Sequence, residues 1–210
     1  MSFNSVVATF TTLLNRDDMT ASQANVFVQQ SINRIQREMR LPCMERTQLI
    51  TSQSAITWIP VPQDLLGLQD IVLPDLCGIP RPLIKKPYRQ IIQYDPNCYP
   101  STYGRFQNQF FFGGTVGPGT TVQVCYWGEF TPITDPTQDN EITVSQADLI
   151  VYGALSYAGD FFESPNTDRW EAKYEGIRES IKALAEDLET NGGPAAVQAM
   201  YNEYCEGDWP

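Results

Sequence analysis

Apolar positions divide this chain into three regions with different periods. Near the start, Phe3, Val6, Val7, Phe10, Leu13 and Leu14 recur at three- and four-residue steps, which predicts a helix ending near Asn15. A polar turn, Asn15 to Asp18, leads to Thr20 and Gln23, whose spacing is that of a capping box. The second helix then carries Ala24, Phe27, Val28, Ile32, Ile35 and Met39 on one face, with Arg34, Arg37 and Arg40 largely off it. Pro42 is its expected stop, because proline has no N–H to donate and clashes with the preceding turn.

From about residue 43 to 140 the helical period disappears, and most of the prolines and glycines fall here. Ile56 to Ile59 reads as a strand, and Leu68–Leu73 and Ile91–Tyr94 as weaker ones. The clearest expectation is a hairpin of Arg105–Phe112 with Thr121–Trp127, turned by the glycine-rich stretch Gly113–Gly119. In its return strand Val122, Val124 and Tyr126 alternate with Gln123, Cys125 and Trp127, as a sheet with one better-buried face requires.

The helical period returns near residue 145. Ser145 is the expected N-cap of a helix through Leu149, Tyr152, Leu155, Ala158 and Phe161 or Phe162. Ser164–Asp168 breaks it. The last long helix carries Trp170, Tyr174, Ile177, Ile181, Leu184 and Leu188 at alternating steps of four and three, a heptad seam that needs partner helices. Its opposite face holds Glu171, Glu175, Glu179, Glu186 and Asp187. Neither helical end has enough apolar surface to close a core alone, so the two should pack together. The expected fold is therefore α+β: residues 1–42 and 143–190 form one helical bundle, 43–142 an inserted small antiparallel β-module, and 191–210 an extended C-terminal tail after a Gly192-Gly193-Pro194 hinge.

Composition narrows the chemistry. A chain of 210 residues with 42% hydrophobic content can bury a sizeable core. No apolar run approaches the length of a membrane span, and no signal-peptide pattern opens the sequence, so the expected setting is a cytoplasm without membrane contact. The five cysteines form no CxxC pair, which argues for free thiols rather than a zinc or redox motif. With no histidine, serine triads, Cys–His pairs and HExxH zinc sites are excluded. Residues 1–60 sum to +1, 61–140 to −2 and 141–210 to −10, giving the total of −11. Such a chain lacks the basic footprint of a nucleic-acid-gripping protein. An acidic surface beside DNA would instead repel phosphate.

Candidate motifs mostly reduce to ordinary structure. The 113–119 glycines lack the GKS or GKT ending of a phosphate loop. Asp135, Asp139 and Glu141 lack the central glycine of a calcium loop. Glu163, Glu171 and Glu175 invite comparison with a carboxylate glycosidase, but Glu171 and Glu175 stand among many acids, as on a solvated helix face. No catalytic residue, cofactor or metal is expected. Lys85-Lys86 with Arg81 and Arg89 is the sole basic cluster of the middle region and suits an acidic neighbouring protein at least as well as a phosphate backbone. Beyond the hinge, Met200, Tyr201, Tyr204 and Trp209 have the composition of an interface anchor.

Taken in order, these motifs resemble those of tailed-phage head-to-tail adaptor (connector) proteins of the short-tailed type. Asn33–Arg40 with Met44-Glu45 is similar to that family's helix exit, and Trp58–Leu66 to its strand followed by a proline–aspartate step. Thr121–Trp127 with Pro132 and Thr134-Asp135 resembles its last strand and exit loop. Ala147–Leu155 and Trp170–Tyr174 look like its closing helices. The resemblance implies a non-enzymatic virion subunit in a homo-oligomeric ring, typically of twelve, beneath the portal protein. Such a ring extends the DNA channel, lets DNA pass without specific binding, and receives a tail nozzle or hub protein. On that reading Glu171, Glu175 and Glu179 face the channel. The resemblance spans about residues 3–190 and does not reach the tail after Gly193, so Met200, Tyr201, Tyr204 and Trp209 are expected as an anchor in the portal from the hinge and the aromatic residues alone. The competing expectations are a cell-wall glycosidase and a monomeric tail-completion or chaperone-like binding module.

Overall fold

The computed structural model describes residues 1–75, 78–133, 135–137, 139 and 141–190, with side chains through 185 in the last helix. Helix α1 (Phe3–Leu14) begins where the Ser5 N–H donates to the Ser2 hydroxyl, and it ends at Asn15 in the left-handed region, φ 50°. Helix α2 (Ala21–Glu38) opens on the expected Thr20–Gln23 capping box. It stops at Glu38, short of Pro42, because the backbone turns extended at Met39. That exit lets Met39 and Leu41 both enter the core before a single 3-10 turn at Pro42–Met44.

Eight strands follow: β1 (Glu45–Thr51), β2 (Ile56–Pro60), β3 (Leu65–Pro74), β4 (Pro80–Pro82), β5 (Ile84–Lys85), β6 (Thr102–Phe106), β7 (Gln109–Val116) and β8 (Thr121–Gly128). A one-turn helix, α3 (Tyr88–Ile91), separates β5 from β6. The strands form two four-stranded sheets, ordered β1-β8-β3-β4 and β2-β7-β6-β5. All pairs are antiparallel except β5 with β6. Between the sheets lies a core that includes Ile59, Ile71, Leu73, Phe110, Phe112, Val122 and Val124. The inserted part is thus a two-layer sandwich of two largely antiparallel sheets, and the fold is α+β as expected.

Three local expectations are corrected here. Strand β7 does not pair with β8. Its hairpin partner is β6, through a two-residue turn at Gln107-Asn108 with Gln107 at φ 53°. Strand β8 crosses to the other sheet and lies between β1 and β3. Gly113 and Gly114 belong to β7 itself, not to a turn. Gly114 has φ +142°, and a Cβ there would stand 2.2 Å from the Cys98 carbonyl oxygen. The glycine marks a backbone pressed against the strand, the second common meaning of glycine in a β region. The Ile91–Tyr94 segment is not a strand: the Gln90 and Ile91 N–H groups donate to Pro87 O, winding α3. Within β8, Val122, Val124 and Tyr126 are buried and their neighbours half-buried, as the alternation predicts.

The chain then returns to helix in α4 (Glu141–Ser145), α5 (Ala147–Phe161) and α6 (Thr167–Thr190). Ser145 is not the N-cap of α5. It closes α4, donating its hydroxyl hydrogen bond to Glu141 O, and Gln146 holds the cap position. Helix α5 packs against α1, α2 and α6. Residues from both ends of the chain, among them Phe10, Phe27, Ile35, Leu149, Ile150 and Tyr174, share one core. This core is separate from that of the sandwich. The two structures meet at a seam where Leu66 and Trp127 of the inserted part pack against the bundle core and Arg46 of β1 pairs with Glu141 of α4 at 3.9 Å. There the Phe130 N–H also donates to the Gln36 side-chain oxygen at 2.7 Å.

Candidate functional site: the two faces of the last helix

Helix α6 carries both features singled out in the sequence, the acidic row and the apolar seam. Along the seam, Trp170, Ile177 and Ile181 are half-buried against the bundle and Tyr174 is wholly buried. Leu184, the next member, is 61% exposed. Among the described residues only the first part of the seam is therefore covered, and the side chain of Leu188 lies outside those described. Beside its end, α5 and α6 flank a groove of about 590 Å³ lined by Tyr152, Lys173, Gly176, Ile177, Ile181 and Leu184.

The acidic row is more tightly engaged than a solvated face. Glu171 receives two hydrogen bonds from the Arg34 guanidinium, at 3.0 and 2.6 Å, and a third from the Ser156 hydroxyl. The same guanidinium lies 4.1 Å above the Tyr174 ring and pairs with Glu38 at 2.8 Å. Tyr174 donates its hydroxyl to Glu38 at 2.9 Å. Arg178 extends the network to Glu175 at 2.5 Å, Glu179 at 3.1 Å and Glu38 at 3.5 Å, and Lys182 reaches Glu179 at 3.4 Å. Four carboxylates thus meet three cations, and the belt is close to neutral.

Protonation follows from these contacts. The Arg34 hydrogen bonds hold Glu171 below the usual glutamate range, outweighing its partial burial. For Glu38, burial pushes upward, but the bonds from Arg34 and Tyr174 prevail and the net shift is downward. Burial and the Glu38 charge raise the Tyr174 hydroxyl well above its ordinary value. A glycosidase acid must be raised, not lowered; Glu171 moves the wrong way for that task.

Of the three residues expected along a channel, Glu171 and Glu175 are about a third exposed and bound within the chain, whereas Glu179 is largely open to solvent. Met200, Tyr201, Tyr204 and Trp209 lie outside the described residues. Sequence reasoning missed Arg34 as the centre of the belt. Its signal was present, since Arg34 and Glu38 stand four apart on α2, the spacing of a helical ion pair. Among the described residues, no helix is long and apolar enough to cross a membrane.

No curated protein matches the chain. A family model does: that of the SU10 adaptor protein covers residues 1–198, spanning both helical ends and the whole sandwich and stopping just before Met200. With nearly the full length matched, the chain belongs to the SU10 adaptor protein family and is a phage head-to-tail adaptor, a structural component of the virion neck.

Proposed function

We propose that this adaptor is the repeating subunit of a ring, of about twelve copies as in the adaptors it resembles, that docks beneath the portal, continues the DNA channel and gives the tail nozzle or hub its platform. The observation that carries this reading is the unfinished seam of α6. An apolar row that runs out of partners among the described residues at Leu184 suits a contact with another subunit. The charge balance supports the passive role toward DNA. A net charge of −11 opposes phosphate binding, and Glu179, although paired with Arg178 and Lys182, is the most exposed carboxylate of the belt. Glu171 and Glu175 serve the channel wall indirectly, by fixing α6 against α2. The role is structural, with no turnover assigned to any residue.

Mass photometry of the chain mixed with purified portal tests the reading. A mass increment equal to one adaptor per portal subunit is expected. A single bound copy, or none, would instead fit a completion factor or chaperone and sink the ring. Removing residues 194–210 should weaken attachment to the portal while leaving the circular dichroism spectrum intact. Unchanged attachment would overturn the assignment of Met200, Tyr201, Tyr204 and Trp209 as the anchor.

A further inference from the structure

The groove between α5 and α6 has one wall that the described bundle leaves uncovered. Along α6 it runs from Lys173 past Gly176, Ile177 and Ile181 to Leu184, a span of about 17 Å at the helical rise per residue. Leu184 is 61% exposed. Midway, a Cβ built on Gly176 meets nothing within 4 Å, so another backbone can approach α6 closely there. An apolar strip of this kind along a helix suits a second helix seated on it.

The chain itself supplies a fitting segment at the Leu184 end. Helix α6 runs to Thr190, and Gly192-Gly193-Pro194 follows. Glycine and proline at such a place stop a helix and let the chain reverse. A loop of about two to five residues is enough to lay one helix antiparallel on another. Beyond the loop, Val197, Met200, Tyr201 and Tyr204 recur at the spacing of a helix's apolar face. Residues 195–206 wound as a helix span about 17 Å, the length of the groove. An antiparallel hairpin closed at 191–194 sets Tyr201 opposite Leu184 and Tyr204 opposite Ile181.

Charge agrees with this placement. After Pro194 the chain carries Glu203, Glu206 and Asp208 and no lysine or arginine. In the groove, Lys173 donates to the Tyr152 hydroxyl at 3.2 Å and lies 4.8 Å from its ring centroid. It makes no ion pair among the described residues. Lys182 pairs with Glu179 at 3.4 Å and is 42% exposed. The carboxylate that lines the groove, Asp148, accepts from its own helix at the Leu149 N–H, 2.9 Å away. An acidic, aromatic segment therefore meets a wall whose available charges are cationic.

We propose that in the free subunit residues 195–206 lie in the α5–α6 groove of their own chain, with Tyr201 and Tyr204 on Leu184 and Ile181 and the acids toward Lys173 and Lys182. The inference rests on the ring reading, because the surface so covered is the seam assigned there to a neighbouring subunit. The segment also includes residues assigned to the portal. Portal and groove thus compete for one tail, and tail and neighbour for one groove. Capture of the tail by the portal uncovers the seam, so copies join side by side on the portal and stay apart in solution.

The test places benzoylphenylalanine at position 201 of the full chain and irradiates it at low concentration without portal. Cross-links should fall within the same chain, on residues 145–152 or 173–184, and added portal should draw them onto itself. Gly176→Arg adds bulk where a side chain has room, so it should fold normally by circular dichroism and abolish the intrachain cross-link. Lys173→Glu should lower its yield about threefold. Removing residues 194–210 should let the free chain self-associate at about tenfold lower concentration, read by sedimentation. Cross-links elsewhere in the chain or between copies overturn the proposal, as does a truncated chain that associates no more readily than wild type. A full ring on the portal without the intrachain cross-link removes this contact and leaves the ring reading. The cross-link together with a single adaptor per portal removes the ring and leaves the groove assignment.

Discussion

The helical bundle and the β-sandwich close their cores by different means. The bundle places one large residue of α6, Tyr174, fully inside and seals it with a belt of charges from Arg34, Glu38, Glu171 and Arg178. The sandwich closes by shape. Its two sheets interleave aliphatic and aromatic side chains, and the 95–100 segment is pressed onto β7 through Gly114, where Thr115 N–H donates to Cys98 O. One region therefore depends on the ionisation state of its rim, and the other on the space left by a missing side chain. For a ring subunit the contrast is useful. Removing the closing helix's anchor should damage the bundle, while the sandwich should be insensitive to pH and intolerant of added volume.

The largest effect should come from Tyr174→Ala, which empties the bundle core and strips the Glu38 hydrogen bond and the Arg34 stacking surface together. Truncating a buried aromatic costs about 4 kcal/mol. Tyr174→Phe, which keeps the ring and loses only the hydroxyl bond, should cost about 1 kcal/mol. Urea unfolding followed by circular dichroism at the helical band reads both. Equal losses from the two variants would mean that the belt, and not the packing, holds α6.

Next comes Gly114→Ala in the sandwich. The new methyl has no room beside the Cys98 carbonyl, and φ +142° is strained for any L side chain. The expected cost is about 3 kcal/mol. The loss should appear in near-UV signals from the sandwich aromatics at every pH. A neutral outcome would show that the 95–100 segment can lift away without penalty.

Arg34→Leu sharpens the comparison through pH. It leaves Glu171 and Glu38 without their main partner, at about 2 kcal/mol given that both are only partly buried. Because the folded state lowers both carboxyl pKa values, the wild-type contribution is complete above the ordinary glutamate value. It is lost as pH falls through the depressed folded values. Wild-type stability should therefore drop on acidification through that window, and the variant's should drop less. Parallel pH profiles for the two proteins would remove the belt from the account of bundle closure.

The two regions also differed in how much of them could be read from sequence. Helices α1 and α2 were legible because the signals are local: the buried positions of α2 are the periodic ones, and Thr20 with Gln23 announces its start. In the sandwich, alternation located β8 and its buried face, but nothing local names a partner strand. Val124 pairs with Gln48 on one side and Ile71 on the other, each more than fifty residues away. The true hairpin turn, Gln107-Asn108, lacks the glycine that usually advertises one, and the conspicuous glycines were serving close approach. The same distance effect hid the belt. Glu171 looks solvated on a helical projection because the residue that neutralises it is 137 positions earlier.

The smallest expected effect tests the local end of that scale. Thr20→Ala removes the acceptor for the Gln23 N–H and the hydroxyl that donates to the Gln23 side-chain oxygen at 2.9 Å, leaving that oxygen only the backbone N–H of residue 20. Losing such a cap costs about 1 kcal/mol. Because the site is exposed and carries no charge, the cost should be the same at neutral and acid pH, unlike that of Arg34→Leu. It should also leave the Tyr174 environment unchanged, since α2 meets α6 a full four turns later, at Arg34 and Glu38. Amide hydrogen exchange separates the possibilities: faster exchange confined to the first turn of α2 is expected. Faster exchange reaching α6 would mean that the bundle unfolds from this cap as one unit, and that its closure is governed from the start of α2 as much as from Tyr174.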